Sequence, residues 1–365
     1  MKLLLLLSTL SSGGAERVMT LLANHWVAEG HSVTLVTTYG RYVEPAFALS
    51  PEVTLRALDG GPGERTHGRL RRLLALRRIM LDGDFDGAIS FLSNVNVAAI
   101  LARIGLSIPL VVSERTYPPA YPLTPTFECA RRGLYRFADV VVMQTDDGAR
   151  WLAEQLPSAR GFVIPNPVIW PIPEARPVVL PSAIVPPGRR LLLSAGRLSP
   201  EKRFDLLLEA FARAGDVTRD WHLVIAGEGP SRALLEGEAK RLGIADRVSM
   251  PGQIGNMAVW FGQAEAFALT SSFEGYPNAL LEAVVSGVPV AAIDCLTGVR
   301  NLVARGVNGV LAPRDTDATR FAAALCMLLG KAWPGAASAA IDAREQHAIA
   351  RIADQWLSCL RGVPA

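Results

Sequence analysis

The chain has 365 residues, half of them hydrophobic and 19% charged, with a formal net charge of +3. That length exceeds what one core usually organises, so two domains are expected. The charge is too mild to argue for nucleic acid as a partner, and no run of about 18 uninterrupted apolar residues suggests a transmembrane helix. Cys129, Cys295, Cys326 and Cys359 lie far apart without metal-ligand spacing. They read as reduced thiols of a cytosolic protein. His25, His31, His67, His222 and His347 form no close pair, so no metal site is expected.

Met1-Lys2 followed by Leu3 to Leu7 imitates the start of a signal peptide, but the apolar run stops at Ser8-Thr9, short of a signal h-region. A buried parallel strand over 3–7, feeding a helix over 16–29 that Gly30 ends, accounts for it better. Further strands are expected at 32–37, 87–91, 110–112 and 140–143, with helical patterns near 95–103, 126–137 and 146–154. Such alternation implies parallel βαβ units in a doubly wound sheet, whose ligands bind at the carboxyl ends of the strands. The first loop of that kind contains Gly13-Gly14 and lacks the G-x-G-x-x-G spacing, which rejects a dinucleotide site. Its two glycines let a backbone approach a ligand, or they form a plain turn.

Between Gly60 and Leu81, Arg65, His67, Arg69, Arg71, Arg72, Arg77 and Arg78 interleave with leucines, and no acid falls between Arg65 and Leu81. Segment 65–80 reads as a basic amphipathic helix for an anionic membrane surface. A solvated helix packed by its leucines is the alternative, and the missing aromatics argue against nucleic acid. Ser113-Glu114-Arg115 follows a strand at its carboxyl end, which should bring Ser113 and Glu114 to a ligand cleft. Alternatively, Glu114 and Arg115 pair with each other and order the loop.

Prolines cluster from 164 to 190, Pro171, Pro173, Pro177 and Pro181 among them. They forbid a long helix or a central strand. A linker over 169–189 is therefore expected between a first domain at 1–168 and a second at 190–340. In the second, strands are expected at 190–195, 222–226, 248–250, 266–270 and 288–293, with a helix over 204–214. The loop from Gly196 to Arg203 carries Arg197 and Lys202, cations suited to a departing diphosphate. A helical tail over 341–360 offers Ile341, Ile349, Ile352, Trp356 and Leu360 as apolar contacts.

The stretch from Ser271 to Glu282 reads as strand end, tight turn and helix start. Gly275 permits the turn and Pro277 suits the first helical turn. Unpaired N–H groups there attract phosphate. Glu274 precedes the helix and Glu282 lies about two turns in. Carboxylates accept hydrogen bonds from hydroxyls, so the two point to a sugar nucleotide. An ordinary helix start with two surface glutamates is the alternative.

The spacing Glu274-x7-Glu282, followed by Ala283 and Ser286-Gly287-Val288-Pro289-Val290, resembles the nucleotide-sugar site of family 4 retaining glycosyltransferases. The resemblance runs through nearly the whole chain. It implies the α/β arrangement called GT-B, two Rossmann-like doubly wound parallel-sheet domains facing each other across a cleft, with the last segment, 341–365, packing back on the first. By the same resemblance Glu274 takes the hexose hydroxyls, Glu282 the ribose, and Arg197 and Lys202 the diphosphate. Gly227 lies near the nucleotide, and Ile254 and its neighbours bind the base through backbone groups. Gly275, Tyr276, Pro277, Asn278 and Ala279 form the donor turn, and Gly13-Gly14 faces the donor phosphates. Ser113 stands where many relatives have His, and the Ser-Glu-Arg version resembles a subset acting on lipid-linked sugars. Leu296, Val299 and Asn301 stand where related lipid-linked-sugar transferases often have Pro, Pro and Glu.

These readings make the chain a retaining hexosyltransferase that needs no metal or other cofactor. The expected donor is a UDP-linked sugar and the expected acceptor a polyprenyl-linked saccharide. The expected location is cytoplasmic, peripheral on the inner face of the membrane. A nucleotide-sugar epimerase and a non-catalytic sugar-nucleotide-binding protein remain open at this point.

Overall fold

Leu3 to Leu7 are wholly buried in strand β1 (Lys2–Leu7). The run lacks polar alternation because both faces of a parallel sheet are covered. The computed structural model describes residues 1–11, 13–39, 45–58 and 68–362. After β1 come β2 (Ser32–Thr37), β3 (Thr54–Ala57), β4 (Gly87–Phe91), β5 (Leu110–Ser113), β6 (Val140–Met143) and β7 (Gly161–Val163). They form one parallel sheet in the order β3-β2-β1-β4-β5-β6-β7. Strands β3 and β7 escape a reading of apolar runs because they are short edge strands with no fully buried residue.

The second sheet holds β8 (Arg190–Ala195), β9 (Trp221–Ala226), β10 (Val248–Gly252), β11 (Ala266–Leu269), β12 (Val290–Ile293) and β13 (Gly309–Ala312). Its order is β10-β9-β8-β11-β12-β13, again all parallel. Both sheets thus reverse their winding once, between β1 and β4 in the first and between β8 and β11 in the second. At such a reversal, neighbouring strands send their following loops to opposite faces, and a crevice opens between them.

The chain divides into two compact units, Met1–Pro167 with Ile349–Ala365, and Val168–Ala348. The expected linker over 169–189 is packed rather than free. Ile172 is buried in the second unit's core. The Ala175 N–H donates to Gly255 O at 3.0 Å, and the Gly255 N–H to Pro177 O at 2.7 Å. Asn256 brackets Val179, accepting from its N–H at 2.9 Å and donating to its carbonyl at 3.0 Å, and Trp260 Nε1 donates to the same carbonyl at 2.8 Å. Prolines keep residues 171–179 out of regular structure, so the backbone of Ala175, Pro177 and Val179 takes partners from residues 255–260.

The tail is not one helix over 341–360. It forms two, Gly335–Gln346 and Ile349–Leu360, with a break at His347-Ala348. Ile341, on the first, is 63% exposed. Only the second belongs to the first unit, where Ile352, Trp356, Leu357 and Leu360 join Leu3, Leu5, Trp26 and Phe91 in one core. Replacing Trp356, fully buried and stacked 5.3 Å from Phe91 between ring centroids, by Ala should cost about 3–5 kcal/mol. A urea titration of the full chain checks this, and an unchanged midpoint would mean that the helix adds little to that core.

Candidate functional site

The loops that follow β8 and β11 meet at the reversal point of the second sheet and are stitched together by backbone carbonyls. Thr270 Oγ1 donates to Lys202 O at 2.9 Å. The N–H and hydroxyl of Ser272 both donate to Glu201 O, at 2.8 and 3.0 Å. This brings Lys202 Nζ within 2.6 Å of Glu274 Oε1, although the residues are 72 apart in sequence. Ser271 Oγ donates to the same carboxylate oxygen at 2.6 Å. The side chains are 21% and 11% exposed, so the pair sits in a partly desolvated recess that a ligand can still reach. Glu274 is held from behind as well: its N–H donates to Leu296 O at 2.8 Å, and Thr297 Oγ1 donates to the carbonyls of Glu274 and Gly275, each at 3.0 Å.

Glycines allow the close approaches. Gly227 has φ of +140°, and a Cβ there would fall 1.9 Å from Gly196 O, so the turns after β8 and β9 touch backbone to backbone. Gly298 (φ +77°) lies against the turn at residues 275–277, where a Cβ would meet Gly275 O at 3.1 Å and Pro277 Cδ at 3.2 Å.

Helix Asn278–Val285 starts behind that turn, with Pro277 at its N-cap and no side-chain cap. Its first-turn N–H groups therefore have no side-chain acceptor at the cap position. Asn278 and Ala279 are half-buried there, and Glu282 is buried one turn on. Arg197 is exposed on the loop after β8, and among the described residues its side chain has no hydrogen bond or ion pair. The structure brings Lys202 and Glu274 into contact but does not bring Arg197 onto them. Ile254 is half-buried beside Gly255, whose backbone is bonded to the Pro-rich segment.

Glu228 pairs with Arg232 at 2.6 Å, and this hydrogen bond holds its carboxyl below the ordinary glutamate range. Cys295 is buried beside the Lys202–Glu274 pair. Burial first, and the Glu274 carboxylate second, push its thiol up to about 12. A neutral thiol is a poor nucleophile, in keeping with a packing role. Among the described residues no three His, Cys, Asp or Glu side chains are grouped to hold a metal ion.

In the first unit, Gly13 caps helix Gly14–Ala28. The Glu16 carboxylate folds back over it, so a Cβ on Gly13 would lie 2.2 Å from Glu16 Oε2. Ser11 and Thr9 donate to Glu16 Oε1 at 3.2 and 3.3 Å. Ser113 is fully buried at the end of β5. Glu114 does not pair with Arg115. It accepts from Tyr135 Oη at 2.5 Å and Ser93 Oγ at 2.7 Å, with Arg131 Nη1 at 3.9 Å, and burial raises its pKa. Arg115 instead lies 4.3 Å over the Phe91 ring and donates to Asn166 Oδ1.

Two contributors had little or no signal in the sequence. Ser271 stands three residues before Glu274, the spacing of a capping box, and that spacing was the available clue. His347 meets Tyr276 Oη at 2.5 Å from 71 positions away, with nothing local to mark it.

Residues 181–344 match the family described as "Glycosyl transferases group 1", and residues 13–167 the "Glycosyl transferase 4-like domain". The chain is 29% identical over 323 residues to the "GalNAc-alpha-(1->4)-GalNAc-alpha-(1->3)-diNAcBac-PP-undecaprenol alpha-1,4-N-acetyl-D-galactosaminyltransferase" of Campylobacter jejuni, covering 87% of this chain and 86% of that one. It is 30% identical over 267 residues to the "Alpha-D-kanosaminyltransferase" of Streptomyces kanamyceticus, covering 68% and 67%. Among solved structures, Anabaena HepE in complex with UDP and glucose superposes with a TM-score of 0.78 at 20% identity, covering 100% of both chains.

All four cysteines are free, Cys129 exposed and Cys295 buried. At pH 8, iodoacetamide should label Cys129 and leave Cys295 unmodified until urea is added, as read by peptide mass spectrometry. Rapid labelling of native Cys295 would contradict a neutral, enclosed thiol.

Proposed function

The chain belongs to the family 4 GT-B glycosyltransferases, and from that premise we propose that it moves a hexosyl residue, with retention, from a UDP-sugar to a saccharide on a polyprenyl carrier. The observation that carries the donor side is the Lys202–Glu274 pair at the reversal point of the second sheet, 2.6 Å apart. In the reaction the bond between the anomeric carbon and the diphosphate oxygen breaks, and the leaving group gains negative charge. Lys202 meets that charge as a point cation and Arg197 as a bidentate fork. Glu274, oriented by Ser271, accepts hydrogen bonds from the hexose, and Glu282 holds the ribose. The first-turn N–H groups of helix Asn278–Val285 add a partial positive charge behind the donor.

Attack from the face that the diphosphate leaves keeps the anomeric configuration. The departing phosphate takes the acceptor proton, and the hydroxyl oxygen bonds to the anomeric carbon. No side-chain nucleophile is required, which agrees with a protonated Cys295. With Arg197 and Lys202 as the neutralising charges, the step runs without a metal.

A lipid-linked acceptor is supported by the Campylobacter relative, whose name places its own acceptor on PP-undecaprenol, and by one face of helix Arg69–Asp82. Leu70, Leu74 and Leu81 are exposed there, at 68%, 58% and 56%, beside exposed Arg69, Arg71 and Arg78. Arg77 is used inside the fold, donating to Ala102 O and Ile104 O at 2.9 and 2.6 Å, and Arg72 lies 4.3 Å over the Tyr39 ring. Arg65 and His67 lie outside the described residues. No helix among the described residues is long and apolar enough to cross a membrane. We therefore assign this face to the headgroup region of an anionic bilayer, where each basic residue adds about 1 kcal/mol.

A thermal-shift panel of UDP-, GDP- and ADP-hexoses identifies the donor. With that donor and a lipid-linked acceptor, Lys202→Ala and Glu274→Ala should each lower kcat/KM by about 10²–10³-fold. EDTA should leave the rate unchanged, and NMR should show a retained anomeric centre. Turnover of the nucleotide sugar without any acceptor would favour an epimerase, and binding without turnover a non-catalytic role. Arg71→Glu with Arg78→Glu should reduce sedimentation with phosphatidylglycerol vesicles. Equal pelleting of variant and wild type would remove the membrane assignment.

A further inference from the structure

Tyr276 sits between Glu274 and the donor-side helix, yet its side chain turns inward and is 5% exposed. Its hydroxyl lies 2.5 Å from His347 Nε2, and the two rings are 5.7 Å apart between centroids. The direction of this bond follows from the other ring nitrogen. His347 Nδ1 lies 2.9 Å from Ala343 O, and a carbonyl can only accept, so Nδ1 carries the proton. Nε2 therefore presents its lone pair, and the Tyr276 hydroxyl donates to it. Burial raises the Tyr276 pKa, which keeps the phenol a donor.

His347 is placed by more than its ring. It closes helix Gly335–Gln346, and its carbonyl accepts from the Val168 N–H at 2.8 Å. Val168 and Ala348, which bridge to one another, are the first and last residues of the second unit. One turn earlier, Arg344 Nε donates to Val285 O at 2.7 Å, and its guanidinium lies 3.8 Å over Trp170. Residues 344–347 thus grip both ends of the element that carries Glu282: Tyr276 before its start and Val285 at its finish. Glu274 is two residues from the first grip.

We infer that His347 is a positioning residue for the sugar-binding turn, acting through the Tyr276 hydroxyl to fix where the Glu274 carboxylate meets the donor hexose. The inference rests on the donor reading given above. It assigns a role to a residue distant in sequence from every donor-side motif, anchored where the chain enters and leaves the second unit. The cations for the diphosphate come from the loop after β8, a different segment from the turn that His347 holds. Loss of the contact should therefore weaken recognition of the sugar more than recognition of the nucleotide.

The test uses the full chain, the UDP-, GDP- or ADP-hexose that shifts wild type most, and the matching free nucleoside diphosphate, with both dissociation constants measured by calorimetry. His347→Leu and Tyr276→Phe should each weaken the nucleotide sugar about tenfold, the weight of one buried hydrogen bond. The free diphosphate should weaken by less than about threefold, an expectation that follows from its separate cations. The double variant should bind no worse than either single one, because both remove the same bond. His347→Gln, whose amide oxygen reaches the Nε2 position, should restore affinity to within about twofold, since it replaces one acceptor by another. Equal weakening of sugar and diphosphate, or additive losses in the double variant, would overturn the inference, as would a lowered melting temperature with unchanged affinities. Wild type that binds no nucleotide sugar at all would instead overturn the donor reading on which it rests.

Discussion

One lysine and one glutamate, 72 residues apart in sequence and 2.6 Å apart in space, form the contact around which the loops at the end of the second unit's sheet are arranged. Neither side chain could hold that position alone. Lysine has a long, flexible stem, and fixing it costs rotamer entropy. Here the cost is met by rigid backbone: Glu201 O and Lys202 O accept three hydrogen bonds from Thr270 and Ser272, so the two loops move as one body. Glu274 is then fixed from three sides, by Ser271, Leu296 and Thr297. The result is a charge pair already formed at the mouth of a parallel sheet, with little reorganisation left for the moment a ligand arrives.

The winding order of the sheet makes this pair possible. Because β8 and β11 are neighbours in the sheet, two segments far apart in sequence are delivered to one spot. The first sheet repeats the pattern with β1 and β4, and Ser93, just beyond β4, reaches across to Glu114 beyond β5. There the outcome differs. Glu114 is enclosed by Tyr135, Ser93 and Arg131, and Glu16 covers its own helix start at Gly13. The same architecture thus holds a reachable carboxylate in one unit and internally satisfied carboxylates in the other.

Much of this was legible in the amino-acid order. Strands that are mostly or wholly buried, such as β1 and β12, announce themselves as apolar runs, and the turn at Gly275 and Pro277 marks the helix start. Edge strands β3 and β7 carry too little buried surface to stand out. The prolines of residues 169–189 excluded a long helix and a central strand, as found, but local rules say nothing about partners supplied by residues 255–260. The tail helix broke at His347 because the chain there must serve two purposes, ending one helix and pairing with Val168. Such contacts are set by tertiary placement, and no periodicity encodes them.

The second unit is continuous in sequence, whereas the first is completed by a helix that follows it. During synthesis from the amino end, the core that contains Trp26 and Phe91 is translated long before Ile352 and Trp356 exist to cover it. That apolar face therefore stays open while the whole second unit is made. The nascent chain carries a hydrophobic patch for the whole of that interval, and a patch of that kind invites chaperone capture or premature association. Deletion of the last helix would make this transient condition permanent, while leaving the second unit able to collapse on its own core.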